Sequence, residues 1–178
     1  MKKKFYLMTY HYYFESWRLL SAILLAVALA LLIWSPAPLQ PFQALLMLAA
    51  GLGALVLVFG FAMYRLAFVA VGDKGLVVQL PFWRVRFPFD AVKLARTTTL
   101  NSLTSGKWDA DLGELSALQV DVEQWPQPQS VLKFWLGKLV LSDAIVLPVD
   151  DVIGLSRALE VGLSRLREAK LDALRRAY

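Results

Sequence analysis

Two uncharged, apolar runs, residues 19–34 and 42–64, occupy the first third of the chain, parted only by the proline-bearing stretch 35–41. An α-helix rises about 1.5 Å per residue, so about 20 apolar residues cross a typical hydrocarbon core. The second run has twenty-three, enough to span with some tilt. The first has sixteen and gains length from Phe14, Ser16 and Trp17, while Arg18 can extend its stem to headgroup level. Trp17 and Tyr64 would mark one interface, Trp34 and Phe42 the other. The pattern predicts a transmembrane hairpin over 19–64, with spans at 19–34 and 42–64. A cleaved signal peptide is the rival reading. It is disfavoured because the apolar run starts late, prolines flank the supposed cut, and a second span follows at once.

Beyond residue 65 the period changes to two. Residues 66–71 form a short apolar run, and Gly72-Asp73-Lys74-Gly75 is a turn cluster. Leu76, Val78 and Leu80 then alternate with Val77 and Gln79. After Pro81-Phe82, Trp83, Val85 and Phe87 alternate with Arg84 and Arg86. Residues 92–99 resume extended character, and 100–113 read as a polar loop. Leu118, Val120 and Val122 alternate with Gln119, Asp121 and Glu123, and Trp125-Pro126-Gln127-Pro128 makes a further turn. Residues 131–136, 139–141 and 144–147 are the remaining candidate strands. Six or seven short strands in succession predict a meandering antiparallel sheet. After Pro148 the period becomes helical. Asp150 and Asp151 supply cap and first-turn acids, Val152, Leu155, Leu159, Leu163 and Leu166 form a stripe, and basic residues gather toward the end. Such a helix, from about residue 150, is suited to cover one open end or face of the sheet. Leu171 and Leu174 drift off its stripe.

Three segments follow: a leader (1–18), the hairpin (19–64) and a β-rich domain (65–178). In the leader, Tyr6, Tyr10, Tyr13, Phe14 and Trp17 fall at helical spacing on one face, behind Lys2, Lys3 and Lys4. That combination predicts a segment lying along the headgroups, with Tyr6, Tyr10, Tyr13 and Trp17 as interfacial anchors; packing against a neighbouring protein is the alternative. Small residues recur at four-residue spacing: Ala22, Ala26 and Ala30 in the first span, Ala49 with Gly53 and Ala50 with Ala54 in the second. Rows of this kind let helices approach closely in lipid. They serve either the hairpin's own packing, the plainer reading, or a partner membrane subunit.

Composition sharpens this picture. Of 178 residues, 58% are hydrophobic, too many for an ordinary soluble domain of this size. The net charge is +5, of which +3 lies before Arg65 and +2 from Arg65 onward. A basic leader beside a span is a topological signal, so the overall basicity does not indicate nucleic-acid binding. The connecting loop is uncharged, whereas Lys2, Lys3, Lys4, Arg18 and Arg65 lie at the other end. The positive-inside rule therefore predicts a two-pass protein with both termini cytoplasmic. There is no cysteine, which excludes disulfides, thiol nucleophiles and cysteine-based metal or iron–sulfur sites.

Two membrane helices, about seven antiparallel strands and a closing helix resemble the bacterial pleckstrin-homology-like (PH-like) domains carried by small membrane proteins. The local phrasing is similar at Val71-Gly72-Asp73-Lys74-Gly75-Leu76-Val77-Val78, at Arg86-Phe87-Pro88-Phe89-Asp90-Ala91-Val92, and from Val140-Leu141-Ser142-Asp143 through Leu147-Pro148-Val149-Asp150. These patterns cover residues 66–167 and carry no chemical signature. The resemblance implies a β-sandwich or barrel capped by the C-terminal helix, a bacterial inner membrane as the membrane crossed, and a role, as in some such proteins, in assembling membrane complexes. A shared fold is only an associational ground for function.

Chemistry-bearing motifs are sparse. Lys74, Arg84 and Arg86 are candidate lipid-headgroup contacts, since Arg84 and Arg86 share one face of a strand and echo the basic spacing of phosphoinositide-binding PH domains; a solvated charged face is the ordinary outcome of alternation. Asp109-Ala110-Asp111 has the form of a metal-binding Asp-x-Asp but sits in a polar loop without a nucleotide-binding unit. Gly154-Leu155-Ser156-Arg157 and Gly162-Leu163-Ser164-Arg165 lack the closing glycine of a nucleophile elbow. His11 is the only histidine, too few for a zinc site or triad. Neither span holds an internal charge for a proton relay. Trp108 and Trp125 are loop aromatics suited to contact surfaces or to core lids. The expectation is a non-enzymatic accessory or assembly subunit without cofactor, metal, nucleic acid or small-molecule substrate, partnered by the bilayer and other membrane subunits. The alternative is a sensor of anionic headgroups.

Overall fold

The tight turn at Asp73-Lys74 organises the first sheet: Gly72 pairs with Gly75 across it, joining β2 (Phe68–Gly72) to β3 (Gly75–Leu80). A second two-residue turn, Pro81-Phe82, brings β4 (Trp83–Pro88) back along β3, with Leu80 opposite Trp83. The fourth member comes from the far side of the apolar hairpin. Lys4–Tyr6, labelled β1, pairs antiparallel with β2, so the sheet order is β1-β2-β3-β4. These are features of a computed structural model, which describes residues 3–34, 40–104 and 110–177.

A 3-10 turn at Phe89–Ala91 leads into β5 (Val92–Thr99). That strand pairs with β6 (Ser116–Val122), and β6 pairs with β7 (Ala144–Leu147), forming a three-stranded antiparallel sheet. The two sheets are not joined into a closed barrel. The final helix, Val152–Ala177, contacts strands of both, namely β2 and β3 of the first and β5 and β6 of the second. Its stripe residues Val152, Leu155 and Leu159 are buried against them. Burying one such leucine is worth about 1.5–3 kcal/mol. Inner-face residues Phe5, Val69, Leu76, Val78, Val85 and Phe87 of the first sheet are all buried, as are Leu118, Val120, Ile145 and Leu147 of the second.

Four features differ from the sequence expectations. Residues 131–136 are not a strand but the end of a helix, Gln129–Leu136, that starts after Pro128 and buries Leu132 and Leu136, one turn apart; a short apolar run cannot by itself distinguish the two periods. The expected strand at 139–141 is the end of a 3-10 turn, Gly137–Leu139, and an isolated bridge from Val140 to Ile145. Parts of the expected loop 100–113 are helical, Leu100–Thr104 and Ala110–Gly113. The helices are therefore α1 (Met8–Trp34), α2 (Gln40–Leu66), α3 (Leu100–Thr104), α4 (Ala110–Gly113), α5 (Gln129–Leu136) and α6 (Val152–Ala177). Finally, the leader is not one segment. Tyr6 lies in β1, and Tyr10, Tyr13 and Trp17 lie in α1, which starts at Met8.

The chain accordingly forms two compact units, a body of residues 1–8 and 67–178 and a hairpin of 9–66. In the body, β1 is fastened at both edges. Leu7 N–H donates to Ala67 O at 3.2 Å and Met8 N–H to Pro148 O at 2.8 Å. Asp150 N–H donates to Tyr6 O at 3.1 Å, and Tyr6 N–H donates to the Asp150 carboxylate at 3.0 Å. Asp151 caps α6: its Oδ1 accepts from Gly154 N–H at 2.8 Å, and Lys3 Nζ donates to its Oδ2 at 2.7 Å. The Lys3 hydrogen bond first, and the Gly154 N–H second, hold the Asp151 carboxyl below its ordinary pKa. A depressed carboxylate stabilises above its unfolded pKa and loses that contribution as pH falls through the folded value. Asp151→Asn, which keeps a capping oxygen but no charge, is expected to flatten the acid limb of a melting-temperature profile measured from neutral pH downward.

In the hairpin unit, α1 and α2 are each 27 residues, about 40 Å at 1.5 Å per residue, and both are long and apolar enough to cross a membrane. Only 11% of each apolar window is buried, so neither is the core helix of a soluble fold. Their contact seam runs through Ser21 and Ala28 of α1 and Ala50 and Gly53 of α2, all buried. A Cβ on Gly53 would lie 3.2 Å from Ser21 O and 3.4 Å from Leu25 Cβ, and one on Gly60 would lie 2.9 Å from the Phe14 ring. Gly53→Leu is expected to wedge the helices apart at a cost of about 1–3 kcal/mol. Gly51, with nothing within 4 Å of its Cβ position, should accept leucine unchanged. Melting of the two variants in mild detergent checks the contrast.

Candidate functional site

Alternation in the first sheet sends one residue set into the core and the other outward, and the register aligns the outward set across strands. Lys4, Ala70, Val77 and Arg86 form one row; Tyr6, Phe68, Gln79 and Arg84 form the next. Lys74 stands at the adjoining turn. Together Lys4, Lys74, Arg84 and Arg86 line a groove of about 510 Å³ floored by Phe68, Ala70, Val77 and Gln79, with Asp73 at its rim. All four cations are exposed, yet Val77 beneath them is buried, because the aliphatic stems of long basic side chains cover apolar floor. The Lys4 ammonium sits 4.6 Å from the centre of the Phe68 ring, a cation–π contact that steers it over the groove. Among the described residues, Lys74, Arg84 and Arg86 are in no ion pair; the ion pairs there are Lys3–Asp151, Arg96–Asp121 and Lys170–Asp90. Four positive charges over an apolar floor suit an anionic group carried on an apolar or extended stem.

The three residues singled out from sequence thus come together, and Lys4 joins them. Its part was hidden because it depends on a pairing with Ala70 across the whole hairpin. A second cleft, about 600 Å³, lies between the β2–β3 turn and α6, lined by Val71, Phe89, Arg157, Val161, Arg165 and Leu166 among others. Gly162 lets α6 settle there: a Cβ would fall 2.2 Å from the Phe89 ring.

The small-residue rows divide. Gly53 and Ala50 lie in the hairpin seam and Ala49 and Ala54 are half-buried beside it, but Ala22, Ala26 and Ala30 are exposed on α1, away from α2. On the α1 side, Ser21 and Ala28 are the small residues buried in the seam. Of the aromatic anchors, Tyr10, Tyr13 and Trp17 line one apolar cavity of about 220 Å³ with Phe14, Phe59 and Gly60, while Tyr6 belongs to the body. His11 lies against Tyr64 with ring centroids 4.0 Å apart.

Trp125 is half-buried and packs edge-on to Phe87 at 6.3 Å, the lid arrangement rather than a protruding contact. Trp108 and Asp109 lie outside the described residues, as does the side chain of Asp111. The helix α6 serines bond locally, Ser164 to Val161 O at 3.1 Å and Ser156 to Glu160 at 3.5 Å. Among the described residues no group of three His, Cys, Asp or Glu side chains converges as metal ligands would.

No protein-family model matches this chain, and neither a curated protein nor a solved structure does. What the molecule defines for itself is a chain with two helices apt to cross a membrane and a small body of two antiparallel sheets and a closing helix.

Proposed function

We propose that this chain is a non-enzymatic, two-pass membrane protein whose body is PH-like and binds a partner subunit, as an accessory or assembly factor of a membrane complex. The arrangement of four and three strands with one closing helix supports the PH-like reading, the first strand being supplied from before the hairpin. Uncovered apolar flanks on α1 and α2 need a cover of matching chemistry, which lipid provides. Lys3, Lys4, Arg18 and Arg65 at the near end, against an uncharged connection, support a reading in which both termini lie on the cytoplasmic side of a bacterial inner membrane.

The observation that carries the binding role is the cationic groove of Lys4, Lys74, Arg84 and Arg86, which fits an acidic segment of a partner. Charge reversal there, Arg84→Glu with Arg86→Glu, should abolish co-purification of a partner in mild detergent while leaving the melting temperature unchanged. A wild-type chain that always emerges alone and monomeric would defeat the proposal. The same cations also favour a second reading, capture of anionic lipid headgroups. Native mass spectrometry of the detergent-extracted protein separates them: retained anionic phospholipid that the double reversal removes supports the lipid, and an acidic protein lost in the same variant supports the subunit.

A further inference from the structure

The end of the body from which the hairpin departs carries a second, aromatic surface. The chain leaves β1 at Leu7 and returns at Ala67, one residue beyond the cross-strand row Tyr6, Phe68, Gln79 and Arg84. The next features along that same end of the sheet are Leu80, the Pro81-Phe82 turn and Trp83. Phe82 is therefore about two strand spacings, roughly 10 Å, across the sheet edge from the attachment of the helices. At this end Trp83 stacks on Trp135 of α5, with centroids 6.0 Å apart and planes 12° from parallel, and Phe134 meets Trp135 edge-on at 5.4 Å.

Two of these rings keep most of their surface exposed, Phe82 at 71% and Phe134 at 79%, and Val131, one turn before Phe134 on α5, is exposed as well. A water-soluble body has no reason to hold two phenylalanines so far out of its core when Leu132 and Leu136 of the same helix are buried. The flanking charges are all of one sign. Along the chain Arg84 follows the Phe82 turn and Lys133 and Lys138 flank Phe134, and neither 74–89 nor 124–142 contains an aspartate or glutamate. Projecting aromatics bordered by cations, with no acid among them, match the boundary between anionic headgroups and acyl chains.

We infer that the Phe82/Phe134 end of the body inserts into the headgroup–acyl boundary of the bilayer that α1 and α2 cross. This contact rests on the hairpin spanning the membrane, and it would fix the body against the surface at a third point. The groove of Lys4, Lys74, Arg84 and Arg86 would then be held in a defined attitude to the membrane surface.

The absence of cysteine makes the test direct. Single variants Phe82→Cys and Phe134→Cys of the full-length protein each leave the other rings in place and accept one environment-sensitive fluorophore such as NBD. Glu160→Cys, on the exposed face of α6, serves as the aqueous reference, and Leu24→Cys in α1 as the membrane reference. In nanodiscs of phosphatidylcholine and phosphatidylglycerol, lipids carrying a nitroxide near the headgroup should quench the labels at 82 and 134 severalfold more than the label at 160. Their emission should be blue-shifted and shielded from iodide. Labels at 82 and 134 quenched no more than that at 160, whether open to iodide or covered by protein, would overturn the contact while quenching at 24 kept the hairpin reading intact. If the label at 24 also went unquenched, the spanning hairpin itself would fall, and the contact with it.

Discussion

Deleting residues 1–7 is expected to unfold the body of this protein, although the deleted stretch lies on the far side of both apolar helices from the rest of that body. β1 is three residues long, but it inserts Phe5 at 1% exposure, and Leu7 follows at 0%. Truncating a buried phenylalanine costs about 3–5 kcal/mol and a buried leucine about 2–5 kcal/mol. A domain's whole net stability is about 5–15 kcal/mol. The deletion also strips partners from Ala67 O and from the Asp150 backbone N–H and carboxylate, which Leu7 and Tyr6 satisfy. Expressed by itself, 67–178 should show no cooperative melt and should be cut rapidly by trypsin. Joining 3–8 to Ala67 through a short Gly/Ser linker should restore the transition, because Leu7 N and Ala67 O are only 3.2 Å apart. An equally sharp melt with and without the joined strand would show that β1 is dispensable.

Gly75→Ala, the addition of one methyl group, should rank among the most damaging single changes. Gly75 has φ of +149°, a backbone conformation that side chains with a Cβ rarely adopt. A Cβ there would sit 2.1 Å from Phe87 O and 2.8 Å from Pro88 Cα. Those are backbone atoms held by the β3–β4 ladder, in which Gly75 faces Pro88 and Leu76 faces Phe87, so they cannot turn aside as a side chain would. Strain at such a position costs about 1–3 kcal/mol by itself, and displacing a ladder carbonyl adds to it. A total of about 3 kcal/mol or more is expected. Gly137 is the matched comparison. Its φ is +57° with ψ of −127°, outside the left-handed helical well, but nothing lies within 4 Å of its Cβ position, so alanine there carries the backbone strain alone, about 1–3 kcal/mol. Denaturation midpoints of the body in the two variants measure the difference, and equal losses would contradict this account.

Both expectations depend on long-range pairing, and so does the part of the fold that the sequence left hidden. Strands β3 and β4 were legible because their alternation is clean and their turns are signalled by Gly, Asp and Pro. The central strand β6 showed the same alternation, even though Gln119 on its outer side proves buried and bonded to Asp121 Oδ1 at 2.7 Å. α5 misled because an eight-residue amphipathic helix and a buried strand look alike over so short a run. β1 misled more deeply. Tyr6 shares helical spacing with Tyr10, Tyr13 and Trp17, so periodicity assigned it to their helix, whereas the backbone bends at Leu7 to pair with Ala67.

For the binding surface, alternation gave Arg84 and Arg86 a common face, and the turn gave Lys74 its position. Lys4 and the exposed rings of Phe82 and Phe134 were not to be had that way. An isolated phenylalanine in a sequence carries no mark of whether the fold will bury it. In the hairpin, four-residue spacing singled out Gly53 correctly for the seam but offered Ala22, Ala26 and Ala30 with equal force. Which side of a nearly uniform apolar helix meets its neighbour is decided by the partner helix.

By itself, then, the sequence determined the local periods: two apolar helices of membrane length, short alternating strands and a basic-ended closing helix. These depend on residues within one or two turns of each other. Tertiary structure alone decided which strand completes the first sheet, which face of α1 is used, and which cations share a groove. Those outcomes are set by contacts between residues some sixty to a hundred and fifty positions apart, such as Lys4 with Ala70 and Lys3 with Asp151, for which local periodicity carries no signal.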